Sequence, residues 1–172
     1  MEDEKKEPKT YLNYGILTGV VLIVLFALYY VFGLFTNTKL GLIPALIFVV
    51  LIVITQINHA KSLNGDITYG NLFAAGFKAT CAATGIYVVF LIIFLLLVPD
   101  YKDQILQFQR QKMVTKGMSA DQINTGISFA KKAFTVFAVG GAIISNLVIG
   151  CIASLIGAAI AKKNPRPQSA RV

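Results

Sequence analysis

The sequence predicts an all-α protein: a four-transmembrane-helix bundle with an extramembrane helical hairpin between helices three and four. Three observations predict it. Apolar residues fill 56% of the 172 positions and charged residues only 14%, more apolar than the core of a soluble domain of this size requires. The charges are also segregated. None falls between Lys9 and Lys39, in residues 79–99 or in residues 133–161, and only His59 interrupts residues 40–60. Finally, these stretches are apolar all round, whereas a soluble amphipathic helix shows a polar residue every third or fourth position.

A hydrocarbon core about 30 Å thick needs roughly 20 residues of apolar helix, and each stretch supplies that or nearly so. Leu, Ile, Val and Phe each favour insertion by roughly 0.3–0.6 kcal/mol near the bilayer centre. Backbone groups in lipid must be paired within their own segment, so the spans are helices; barrel strands would alternate, and these do not.

Residues 1–10 are polar and mixed in sign, with Pro8 discouraging a helix before it. The apolar run that follows is too long for a signal peptide and lacks a small-residue cleavage pattern, so this tail is expected to stay uncleaved. Helix one is predicted at 11–35. The short turn Thr36-Asn37-Thr38-Lys39 forces helix two, predicted at 40–57, to return antiparallel, with Pro44 in its first turns where a missing N–H costs least. Asn64-Gly65 marks the next turn, and Asp66 or Thr68 can cap helix three, predicted at 69–98 and closed by Pro99-Asp100.

Residues 99–132 are polar and rich in Gln and Lys, yet apolar residues recur at helical spacing. Lys116-Gly117 should end one helix, and Ser119 with Gln122 reads as a capping box opening another. Helix four is predicted at 134–161, with 140–161 as its strongly apolar part. The whole chain then forms a single integral membrane domain.

A net charge of +8 raises nucleic acid as a partner. The basic residues instead gather at segment ends, where they meet anionic lipid headgroups, so the expected partner is the lipid bilayer and not nucleic acid. With four spans both termini share a side, which carries nine basic residues against seven on the other. The positive-inside rule then puts both termini in the cytoplasm and the third loop outside. The expected location is the bacterial inner (cytoplasmic) membrane, multi-pass.

Few residues invite chemistry. The eight acids, Glu2, Asp3, Glu4, Glu7, Asp66, Asp100, Asp103 and Asp121, lie in tails, loops or segment ends. Proton-coupled carriers place an ionisable group within the membrane, and small four-helix multidrug exporters carry a Glu in helix one, where this chain has none. His59 stands alone at a helix end, without the cluster of ligands a metal site needs. Cys81 and Cys151 lie within helices and read as small apolar residues. No catalytic, cofactor-binding or metal-binding residues are therefore expected, and no cofactor. Lys78 immediately precedes the third charge-free stretch and is expected to reach a lipid headgroup, as are Lys162 and Lys163 after helix four.

Helix packing is the stronger signal. Gly15 and Gly19 in helix one and Gly150, Ser154 and Gly157 in helix four allow backbones to approach closely, which drives helix association in lipid. Asn146 needs a partner for its amide, and Thr80 or Thr84 on helix three could provide one. These faces can serve packing within one chain, a homo-oligomer or other membrane proteins.

Two motifs, Gly65-Asp66-Ile67-Thr68-Tyr69-Gly70 with Phe73 and Gly76, and Lys116-Gly117-Met118-Ser119-Ala120-Asp121-Gln122-Ile123, carry a resemblance over most of the chain. The chain resembles a widespread family of small bacterial membrane proteins known only as a domain of unknown function. That resemblance implies four spans and a long helical third loop, and no catalytic residues. The expected role is a non-enzymatic membrane protein acting by association with other membrane or envelope proteins. The alternative is a small transporter or channel for a neutral or weakly polar solute, lined by Thr80, Thr84, Ser145 and Asn146. An enzyme is disfavoured for want of an acid–base pair.

Overall fold

The computed structural model describes residues 10–36 and 40–161. Among these residues it is all-helical: α1 (Thr10–Val31), α2 (Ile43–Ser62), α3 (Tyr69–Leu97), α4 (Pro99–Thr115), α5 (Ala120–Lys132) and α6 (Phe134–Ile160), with short 3-10 turns at Leu34–Thr36 and Leu40–Leu42. Four of these segments are long and apolar enough to cross a membrane: Thr10–Val31, Leu40–Ser62, Tyr69–Leu97 and Phe134–Ile160. The chain divides into two compact units, one of residues 1–87 and 145–172 and the other of residues 88–144.

The element ends follow local chemistry. α1 stops at Val31, short of the expected residue 35, because Gly33 takes a left-handed φ of 63°. α2 runs on past the expected residue 57 to Ser62, which puts His59 inside the helix. Its end is a Schellman motif. Asn64 (φ 52°) and Gly65 (φ 78°) turn left-handed, Gly65 N–H donates to the Ala60 carbonyl at 2.8 Å, and Asn64 N–H donates to that of Lys61 at 3.0 Å. Thr68 is the residue that caps α3, its hydroxyl accepting from Asn71 N–H at 3.3 Å.

In the first unit the usual soluble pattern is inverted. Large apolar side chains such as Leu17, Val24, Val50, Ile54, Val148 and Ile152 are exposed, while Ala79, Ala83, Ala153 and Ala158 are buried. Such a surface suits lipid, and small residues inside bring backbones close enough for dispersion to hold the helices. Gly15 and Gly19 sit against Ala79 and Ala83, so α1 and α3 run parallel; a Cβ on Gly15 would lie 2.9 Å from the Ala79 carbonyl oxygen. Thr10 Oγ1 donates to Ser62 Oγ at 3.3 Å, and Tyr69 OH to the Leu155 carbonyl at 3.3 Å. The starts of α1 and α3 and the later turns of α2 and α6 therefore share a side.

The second unit takes in the apolar ends of α3 and α6, where Leu96, Leu97 and Val136 are exposed as on a lipid-facing surface, and the α4–α5 hairpin, which follows water-soluble rules. α4 opens on Pro99 with Asp100 in its first turn, both favourable at a helix N-terminus. It closes in another Schellman motif: Gly117 (φ 72°) donates to the Val114 carbonyl, and Met118 to that of Met113. α5 begins with the expected capping box. Ser119 Oγ accepts from Gln122 N–H at 3.3 Å, and Gln122 Oε1 accepts from Ser119 N–H at 3.1 Å. Arg110 Nη2 donates to Asn124 Oδ1 at 2.8 Å, Met113 lies against Gly126, and Leu106 and Ile123 are buried, which joins α4 and α5 as a hairpin.

Candidate functional site: a buried amide and an adjoining cleft

Gln56 is the centre of the first unit, fully buried on α2. A carboxamide with no access to water must bond within the protein. Its Nε2 donates to the Leu72 carbonyl of α3 and to the Ser154 carbonyl of α6, both at 2.9 Å. Two carbonyl acceptors fix which end of the amide is nitrogen, since carbonyls cannot donate. Glycines make the space. A Cβ on Gly76 would fall 2.6 Å from the amide carbon and nitrogen, and one on Gly157 would overlap the amide oxygen. Gln56 thus ties three helices together at positions where two of them have no side chain.

α3 and α6 meet in a regular antiparallel register. Thr80 lies against Gly150. One turn one way, Gly76 and Ser154 flank Gln56. One turn the other way, helical spacing sets Thr84 level with Asn146. Along this seam polar atoms are buried without hydrogen-bond partners among the described residues: Gln56 Oε1, Thr80 Oγ1, Thr84 Oγ1, Ser154 Oγ and Asn146 Nδ2. The contrast with two other buried threonines is informative. Thr18 and Thr55 donate to the carbonyls four residues back, Tyr14 and Leu51, each at 2.8 Å, and so satisfy themselves within their own helices.

Three residues along α2 from Gln56, His59 is 2% exposed and borders a cleft of about 160 Å³. Tyr11 of α1, Ile67, and Asn71, Ala74, Ala75 and Lys78 of α3 complete the lining. Tyr11 meets the His59 ring edge-on, with centroids 5.3 Å apart. The Lys78 ammonium lies 5.6 Å from the centre of the Tyr11 ring, a cation–π distance.

The structure places the residues singled out in the sequence as follows. Gly15, Gly19, Gly150 and Gly157 each abut another helix of the same chain, and Ser154 is fully buried beside Gln56. Asn146 is half-buried, Ser145 exposed, and Lys78 exposed at the cleft. Lys162 and Lys163 lie outside the described residues. Cys81 and Cys151 are free thiols. Sequence reasoning missed Gln56. Ending helix two at residue 57 left that amide at a solvated helix end; the available signal was that no Gly or Pro interrupts the chain between Pro44 and Gly65.

With only helices and four apolar spans among the described residues, and with this inside-out packing, the chain is a multi-pass membrane protein. It belongs to the family described as "Protein of unknown function (DUF4199)", whose model matches residues 13–163. No curated protein and no solved structure matches it.

Proposed function

We propose that this protein is a non-enzymatic module of the inner membrane, with both termini in the cytoplasm, that acts by associating with other membrane or envelope proteins. The observation that supports this reading is how the first unit uses its small residues. Gly15, Gly19, Gly76, Gly150 and Gly157 all face neighbouring helices of the same chain, and Phe48, Ile52, Gln56, Leu72, Thr80 and Ser154 fill the interior. A core closed by packed side chains suits a scaffold. The part offering polar recognition is the α4–α5 hairpin, with exposed Arg110, Gln111 and Lys112 on one arm and exposed Asp121, Gln122 and Asn124 on the other. Photo-crosslinkers at Gln111 and Asn124 in native membranes should capture a defined protein. An engineered cysteine at Gln111 should react with an impermeant reagent from outside intact cells; reaction only after lysis would invert the topology.

One observation favours a solute path as the second reading. Thr80, Thr84 and Asn146, three of the four residues expected to line it, carry buried polar atoms without hydrogen-bond partners among the described residues. Water or a weakly polar solute between α3 and α6 would satisfy them. A cysteine at Thr84 that reacts with a small hydrophilic thiol reagent, together with loss of uptake of one neutral solute on deletion and no crosslinked partner, would replace association with transport.

A further inference from the structure

We propose that the cleft between α1, α2 and α3 is a binding site for a phosphate-bearing anion, a phosphomonoester or phosphodiester at the membrane surface. Its volume of about 160 Å³ corresponds to about five water molecules, enough for a tetrahedral oxyanion. The chemistry of its wall is that of a donor. Lys78 offers three N–H groups and no acceptor, and the Asn71 amide offers two more. Among the described residues no carboxylate lines the cleft; Asp66 precedes the lining residue Ile67 and is not part of the wall. A cation is disfavoured by the ammonium, and a neutral solute would leave that charge without a counter-ion among the described residues.

The lysine is also positioned. Its charge lies over the Tyr11 ring, and that ring is braced edge-on by the buried His59 ring. Holding the ammonium in place lowers the entropy lost when it captures a ligand. The depth favours phosphate among oxyanions. Tyr11 is the second residue of α1, and Lys78 is the last charge before residues 79–99, so the cleft opens where the apolar spans begin. Lipid phosphates lie at that level, and basic pockets between spans bind them. This site is independent of the association reading, because a scaffold without such a site and a headgroup-binding protein without a protein partner are both possible molecules.

The test uses the full chain purified in a neutral detergent. Lipid retention is read by native mass spectrometry after exposure to phosphatidylglycerol or phosphatidylcholine vesicles, with soluble glycerol phosphate as competitor. Phosphatidylglycerol should be retained preferentially. Lys78→Gln should weaken that retention about tenfold, the scale of one charge-assisted contact, and Lys78→Arg should keep it. Asn71→Ala should weaken it less. Lys61→Gln removes an exposed charge of α2 outside the cleft and should leave retention unchanged. Displacement by glycerol phosphate would identify a soluble phosphate ester as the ligand; retention despite it would identify the lipid headgroup. Equal retention of both lipids with no effect of glycerol phosphate would overturn the proposal. So would equal losses in Lys61→Gln and Lys78→Gln, with circular dichroism confirming that each variant keeps its helices.

Discussion

The two units of this chain are stabilised by different means, and α6 contributes glycines to both. In the first unit Gly150 and Gly157 are contact points, one against Thr80 and one against Gln56. In the second, a Cβ on Gly140 or Gly141 would meet nothing within 4 Å. Caps, Schellman turns and ring contacts occur in both units; the first depends besides on close approach of the spans and one buried amide, and the second on the α5 capping box and the Arg110–Asn124 bond. The lesson is that glycine in an apolar helix has no fixed meaning. Its role depends on whether another helix stands where its side chain would be, and substitution should separate the two kinds by sign.

The largest effect should come from filling the amide's niche. Gly157→Val drives a side chain into Gln56 and towards the Val53 backbone, where a Cβ would already sit 3.2 Å from the Cα. Overpacking of this kind should destabilise the protein by about 3 kcal/mol, measured by unfolding in mixed micelles. Gln56→Ala removes two hydrogen bonds and leaves a cavity, for a loss of about 2 kcal/mol. Combined, the two changes should lose clearly less than their sum, because truncating Gln56 makes room for the valine. Additive losses would mean that the glycine and the amide act separately, and the comparison above would fail at its centre.

Within the second unit, Ser119→Ala removes the capping-box acceptor of α5 and should destabilise the hairpin by about 1 kcal/mol. Hydrogen exchange should rise in α5 and leave the amides around Gln56 protected. Gly140→Ala should have the opposite sign, stabilising by up to about 1 kcal/mol through helix propensity alone, whereas Gly150→Ala must displace Thr80 and should destabilise.

The smallest effect is on pH dependence. Burial raises the Tyr101 phenol above its ordinary value of 10.0, in α4 outside the four apolar spans. The folded chain therefore favours the neutral phenol, and the unfolded chain ionises first. The stability this group contributes is complete below pH 10.0 and falls as pH rises through the higher folded value. Phenolate absorbance should include a late-titrating component that Tyr101→Phe removes.

Much of the fold was legible because its causes are local. The charge-free stretches, Pro99, Gly117, the Asn64-Gly65 turn and the Ser119–Gln122 box act within a few residues of themselves. The cleft was legible only through Lys78, whose place before an apolar stretch marks the interface. Tyr11 and His59 gave no such signal, since nothing in their own neighbourhoods says that they meet.

That four segments belong in lipid, and that a capped polar hairpin separates the last two, follows from the residues of each segment. Transfer free energy and backbone pairing are properties of each segment alone, so no knowledge of neighbours was needed. Which glycine faces which helix, that Gln56 bridges α3 and α6, and that Thr80 points across a seam while Thr55 bonds its own backbone were settled by how the helices pack. Those outcomes depend on pairing residues far apart in the chain, and in a bilayer, where every face of a span is apolar, hydrophobicity does not choose among the possible pairings.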